Sequence, residues 1–339
     1  MSDYFATLCK LGRGVSLGFA LALAMIGLGP LAWAGSPLDS VVGVRATIPA
    51  DARTAEALGT EREGSGVVIG PDGLVLTIGY LILEAASAEI ALPSDRTIPA
   101  DIVAYDYETG FGLLRPITDP GLPPIDLGDS SKLNVENPVM VASFGGAEGP
   151  PSDASAAYVV SRREFAGYWE YLLPEAIFTA PPHPTFGGAA LIGPDGRLLG
   201  IGSLFVGDAA QPGGRMAGNM FVPIDALKPI LDDLVVHGRA QGPPRPWLGV
   251  FTEELRGYLF VNRVAGGGPA AAAGIEPNQV ILAVDGKPVH GMADFYRKVW
   301  ALGRPGVVVP LTVLTEHGVA ERTVTSGDRY RYLKLNPSY

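Results

Sequence analysis

The chain has 339 residues, with 45 glycines, 30 prolines and a formal net charge of −10. That much glycine and proline suits many short strands joined by turns rather than long helices. The acidic balance excludes a nucleic-acid partner held through its phosphates, and one cysteine, Cys9, leaves no disulfide to be formed within the chain.

Residues 1–34 have the form of a secretory signal. Lys10 and Arg13 give a basic start, residues 15–28 are apolar and uncharged, and Ala32-Trp33-Ala34 is an A-x-A cleavage site. The apolar run is short for a bilayer span and Gly29-Pro30 interrupts it. The expectation is therefore export, with the periplasm as compartment, and no membrane attachment after cleavage. Cys9 would leave with this segment. Loss of Lys10, Arg13 and Asp3 would take the net charge from −10 to −11.

From residue 40 to about 235 the pattern is mostly β. Residues 41–48 form a strand of β-branched and small residues. Residues 67–69 and 74–77 flank Pro71-Asp72-Gly73, a turn signal that makes a hairpin. Further short strands fall at 102–105, 139–143 and 157–160, and at 198–204 after a second turn, Pro194-Asp195-Gly196. Strands this dense point to closed barrels or sandwiches. Leu227, Ile230, Leu231 and Leu234 have helical spacing, which predicts one helix over 224–236. The proline-rich stretch 238–246 is a semi-rigid linker. A second unit follows, with strands at 258–264, 280–284, 307–314 and 320–324 and a helix at 292–302.

Several motifs in order resemble the HtrA (DegP-like) protease family. Gly64-Ser65-Gly66 through Thr77 is similar to the family's opening barrel segment, and residues 107–114 to the stretch around its aspartate. Residues 127–133 match a Leu-Gly-Asp-Ser turn, residues 183–192 the nucleophile loop, and residues 219–225 the strand-to-helix end. The resemblance covers nearly the whole chain after the leader. It implies an all-β-dominated fold: a trypsin-like double β-barrel over 35–237, the linker, and a PDZ domain over 247–335.

On that register the three catalytic positions hold Tyr80, Gly110 and Gly187 in place of His, Asp and Ser, and Thr185 stands at an oxyanion-hole glycine. The triad mechanism needs an attacking hydroxyl, an imidazole to take its proton and a carboxylate to orient the imidazole. Gly187 and Gly110 have no side chain, and a phenol is a poor base near neutrality. The expectation is a pseudoprotease with no cofactor. The alternative is an active serine endopeptidase of protein quality control with non-standard catalytic residues; Ser65, Ser143, Ser161, Ser203 and His183 are the available groups. The four histidines, His183, His237, His290 and His317, have no metal-ligand spacing.

Residues 162–171, Arg-Arg-Glu-Phe-Ala-Gly-Tyr-Trp-Glu-Tyr, concentrate aromatics and mixed charge. They suit a recognition surface or a strand pair packing its aromatics on a barrel. In the second unit, Trp247-Leu248-Gly249-Val250 is similar to the carboxylate-binding loop of PDZ domains, and residues 264–281 and 285–289 match later turns of that module. The resemblance implies peptide or C-terminus binding by strand addition beside 250–252. The site would comprise Trp247, Leu248, Gly249, Val250 and Phe251, with Phe295 and Val299 walling a side-chain pocket. A competing possibility is a groove that is occluded, the module only packing on the first unit. Homo-oligomers, or mixed oligomers with HtrA-like relatives, are further expected partners, although residues 35–50 lack the aromatics through which that family trimerises.

Overall fold

The computed structural model describes residues 36–94, 96–145 and 153–335; the proposed leader lies outside them. Alternation of apolar and small residues drives six strands into the first barrel: β1 (Val41–Thr47), β2 (Glu61–Val68), β3 (Val75–Ile78), β4 (Ser87–Ala91), β5 (Thr97–Tyr105) and β6 (Phe111–Pro116). They close in the order β1-β2-β3-β6-β5-β4, all antiparallel. Val41, Val42, Val44, Leu76, Phe111 and Leu113 are among its buried core residues. Each such burial contributes roughly 1.5–3 kcal/mol.

The second barrel repeats the design with β7 (Pro138–Ser143), β8 (Asp153–Gly167), β9 (Tyr171–Ala180), β10 (Ala190–Ile192), β11 (Leu198–Val206) and β12 (Gly218–Pro223). Its order is β10-β11-β12-β9-β8-β7. β8 runs well beyond the strand expected at 157–160, and with β9 it forms a long hairpin. The barrels meet at a close backbone crossing. Ser65 N–H donates to Gly187 O at 2.8 Å, and a Cβ on Gly188 (φ +75°) would fall 1.9 Å from Ser65 O, so only glycine fits there.

The single helix expected over 224–236 is two pieces, a 3-10 turn at Ile224–Ala226 and a helix at Leu231–His237. Pro229 is the physical reason: it has no N–H to continue the ladder. The chain on either side of it makes tight i→i+3 bonds, Leu227 N–H to Ile224 O before it and Ile230 N–H to Leu227 O across it. Leu227 and Leu234 are nonetheless buried.

The C-terminal module carries β13 (Val250–Leu255), β14 (Tyr258–Val264), β15 (Val280–Val284), β16 (Lys287–Pro288), β17 (Val308–Thr315) and β18 (Gly318–Thr325). The sheet order is β13-β14-β15-β17-β18, with β16 on β15. The amphipathic helix α1 (Met292–Trp300) covers it, burying Phe295, Tyr296 and Val299. The result is mostly β throughout: a double barrel of trypsin-like type followed by a PDZ domain. No helix among the described residues is long and apolar enough to cross a membrane.

Candidate functional site

Tyr80, Gly110 and Gly187 come together between the barrels. Tyr80 sits in the 3-10 turn Gly79–Leu81 that follows β3. Its hydroxyl donates to Ser203 O at 3.0 Å. A Cβ on Gly187 would lie 2.8 Å from that hydroxyl, so the phenol occupies the space a side chain at 187 would need. Burial pushes the Tyr80 phenol well above its ordinary range, which keeps it a neutral hydrogen-bond donor. Gly110 has φ +85°, and its carbonyl accepts from Gly79 N–H at 2.7 Å. Beside it, Tyr171 donates its hydroxyl to Thr109 O at 2.7 Å. Tyr80, Gly110, Ser203, Trp169, Tyr171 and Phe186 share the lining of a cavity of about 270 Å³.

Thr185 is drawn away into a buried network. Its hydroxyl lies 2.6 Å from Ser143 Oγ and 3.1 Å from His183 Nε2. His183 also pairs with Ser143 at 2.8 Å through Nε2 and with Ser155 at 2.8 Å through Nδ1. Burial lowers the His183 pKa, so a neutral imidazole bridges β7, β8 and the loop before β10. This serine–histidine pair was not foreseen as a contact. Ser143 and His183 are 0% and 1% exposed, however, and the carboxylate of Asp153 lies 4.0 Å from Nε2, the nitrogen that already faces Ser143. The geometry is that of a structural clamp. Ser65 Oγ accepts from Phe144 N–H at 2.9 Å, and Ser161 is buried within β8.

The second cluster forms where Leu248, Gly249 and Val250 turn their N–H groups inward. All three donate to one carboxylate, that of Glu170: 3.0 Å from Leu248 and 2.6 Å from Gly249, with Val250 at 3.0 Å. Glu170 is at the tip of the β8–β9 hairpin, with φ +58° and 5% exposure. The hairpin also lies along β13. Thr252 N–H donates to Tyr168 O at 3.1 Å, the Tyr296 hydroxyl donates to Gly167 O at 2.8 Å, and Glu170 N–H reaches the Tyr296 oxygen at 3.2 Å. Leu172 packs into the PDZ core with Leu248, Val250, Phe295 and Val299. Arg297 of the helix pairs with Glu164 of β8.

Burial, the largest influence on the Glu170 carboxyl, pushes its pKa up to about 7. The Leu248, Val250 and Gly249 N–H groups and the Arg329 guanidinium pull the other way. The two flanking aromatics stand outside the donor set. Trp247 gives its N–H to Gly327 O at 3.0 Å, while the Phe251 ring lies under the Arg263 guanidinium at 3.5 Å. Glu170, Thr252 and Tyr296 carry this arrangement and had no signal in the sequence; Glu170 stood out only as part of an aromatic run.

Known proteins show the same two parts. Residues 64–201 match the trypsin-like peptidase domain and residues 260–314 match the PDZ domain. A protein of Pseudomonas fulva described as a probable periplasmic serine endoprotease DegP-like is 28% identical over 286 residues, covering 80% of this chain and 57% of its own. Serine protease PepD of Mycobacterium tuberculosis is 30% identical over 310 residues, covering 86% and 66%. The chain thus spans between about half and two thirds of the length of these relatives. Among solved structures, the HtrA-type protease AlgW with a tripeptide aligns with a TM-score of 0.51 at 22% identity, over 88% of this chain and 95% of that one. The serine endoprotease from Yersinia pestis aligns with a TM-score of 0.51 at 23% identity, over 86% and 94%.

Proposed function

Because the chain is HtrA/DegP-like in both domains and in their order, we propose that it is an exported, non-proteolytic member of that group. It binds peptides or protein C-termini through its PDZ domain, as an adaptor, chaperone-like or regulatory protein. One observation carries the loss of proteolysis: the Tyr80 phenol stands 2.8 Å from where a side chain at Gly187 would begin. No hydroxyl can attack from 187, and without an acyl intermediate the family's chemistry has no first step. Binding is supported by three convergent backbone donors at Leu248, Gly249 and Val250, an arrangement suited to a terminal carboxylate. A solved relative is described as holding a tripeptide. The leader-like residues 1–34 and relatives described as periplasmic support export.

The purified protein is expected to leave casein intact over hours and to take up no fluorophosphonate serine probe. A second reading, an active endopeptidase, draws on the 2.8 Å Ser143–His183 contact. Probe labelling that Ser143→Ala abolishes would establish it and overturn the first.

A further inference from the structure

The groove is already filled by the chain's own hairpin. We propose that the 166–172 tip is an exchangeable internal ligand of the PDZ domain, so that a peptide with a free carboxyl terminus gains the loop only as Glu170 leaves it. The inference rests on the carboxylate-peptide reading above and adds what regulates that site.

The mimicry extends over three features. Glu170 supplies the carboxylate to three N–H groups. Tyr168 O accepts from Thr252 N–H, as the backbone of an added strand would. Leu172 supplies an apolar side chain to the core beneath the groove. An incoming chain end with a carboxylate, an apolar last side chain and extended backbone duplicates all three.

The docked tip also carries costs that a chain end avoids. Glu170 sits at φ +58°, a region unfavourable to a residue with a Cβ. Its carboxylate is buried, and among the described residues no lysine or arginine forms a salt bridge with it. The guanidinium of Arg329 is spent on Trp169 O at 3.1 Å. The hairpin ladder is interrupted by register shifts between Val159 and Ser161 and, closer to the tip, between Arg163 and Phe165. Tyr168 is 54% exposed at the outer edge of the contact. Favouring the docked state is tethering: a segment held by short loops competes at an effective concentration on the order of millimolar.

The test uses the purified full chain and a fluorescein-labelled peptide ending Tyr-Trp-Leu with a free carboxyl group, next to its C-terminal amide. Glu170→Ala is expected to bind the free acid at least tenfold more tightly than wild type, and neither protein to bind the amide. Equal affinity of the two proteins for the acid would overturn the internal ligand while leaving carboxylate recognition standing. No binding by either would remove carboxylate recognition itself, and the internal ligand with it. Should Glu170→Ala fold poorly, hydrogen exchange on the wild type decides. Saturating free-acid peptide is expected to accelerate exchange of amides 166–172; binding with unchanged exchange there overturns the proposal.

Discussion

Two buried glutamates solve the same local problem and end in different states. Glu84 and Glu170 both sit in left-handed backbone, at φ 62° and 58°, and both gather N–H groups from distant chain. Glu84 accepts from Arg53 N–H, Thr54 N–H, the Thr54 hydroxyl and Lys334 N–H, at 3.1, 2.8, 2.8 and 2.7 Å. Those bonds tie the segment after the last PDZ strand to the first barrel. Beside it lies buried Arg62, which shares the Thr54 hydroxyl and donates to Tyr80 O and Leu83 O. Glu170 ties the PDZ loop to the second barrel without such a companion. A carboxylate among backbone donors is expected to stay fixed where a buried cation stands beside it, as Arg62 does at Glu84, and to be exchangeable where the nearby cation, Arg329, gives its hydrogen bond to another carbonyl.

The largest test of that contrast is Glu84→Ala. It leaves four donors without their acceptor and the buried Arg62 guanidinium without its nearby counter-charge, so a loss of about 3–5 kcal/mol is expected in urea unfolding. Glu170→Ala should cost clearly less, because water can reach the groove once the tip lifts. Equal losses would break the comparison.

Next in size is a pH effect. The Glu170 carboxyl is raised to about 7 when docked, against an ordinary value near 4.5. A raised acid adds stability that is fully present below the unfolded value and is lost as pH rises through the folded one. Wild type measured against Glu170→Gln should therefore lose about 1–3 kcal/mol of relative stability between pH 5 and pH 8. Of the groups facing this carboxyl, the Tyr296 phenol is pushed upward by burial, away from that window, and Arg329 acts on it as a positive charge. A flat difference would mean the carboxyl stays ionised while docked. The smallest effect concerns Arg329→Met. Removing the one charge that pulls the Glu170 pKa down, and the bond to Trp169 O, should lower the unfolding free energy by about 1 kcal/mol at pH 7.5. In a Glu170→Gln background the part that acts through the Glu170 charge should vanish, leaving only the loss of the bond to Trp169 O.

Much of the fold was legible because local chemistry and tertiary structure agree. Pro71-Asp72-Gly73 and Pro194-Asp195-Gly196 both turn between strands, with Gly73 and Gly196 at positive φ as such turns require. The PDZ strands fall close to their apolar runs. The split at Pro229 was equally readable, since a missing N–H is a property of the residue, but the regular spacing of Leu227, Ile230 and Leu234 outweighed it. The site divides in the same way. Tyr80, Gly110 and Gly187 followed from motif order, and their convergence follows from two barrels closing on one another. Glu170 did not, because nothing local distinguishes a hairpin-tip glutamate that will meet backbone 78 residues later. The long β8–β9 hairpin that delivers it was itself underestimated.

The donors at 248–250 belong to the main chain and point at a side chain carried by another domain. Cutting the protein at its linker therefore manufactures a receptor that the intact molecule does not display. A screen on the excised C-terminal module would report affinities for an unguarded loop, with the surface under Leu172 laid bare as an adhesive patch.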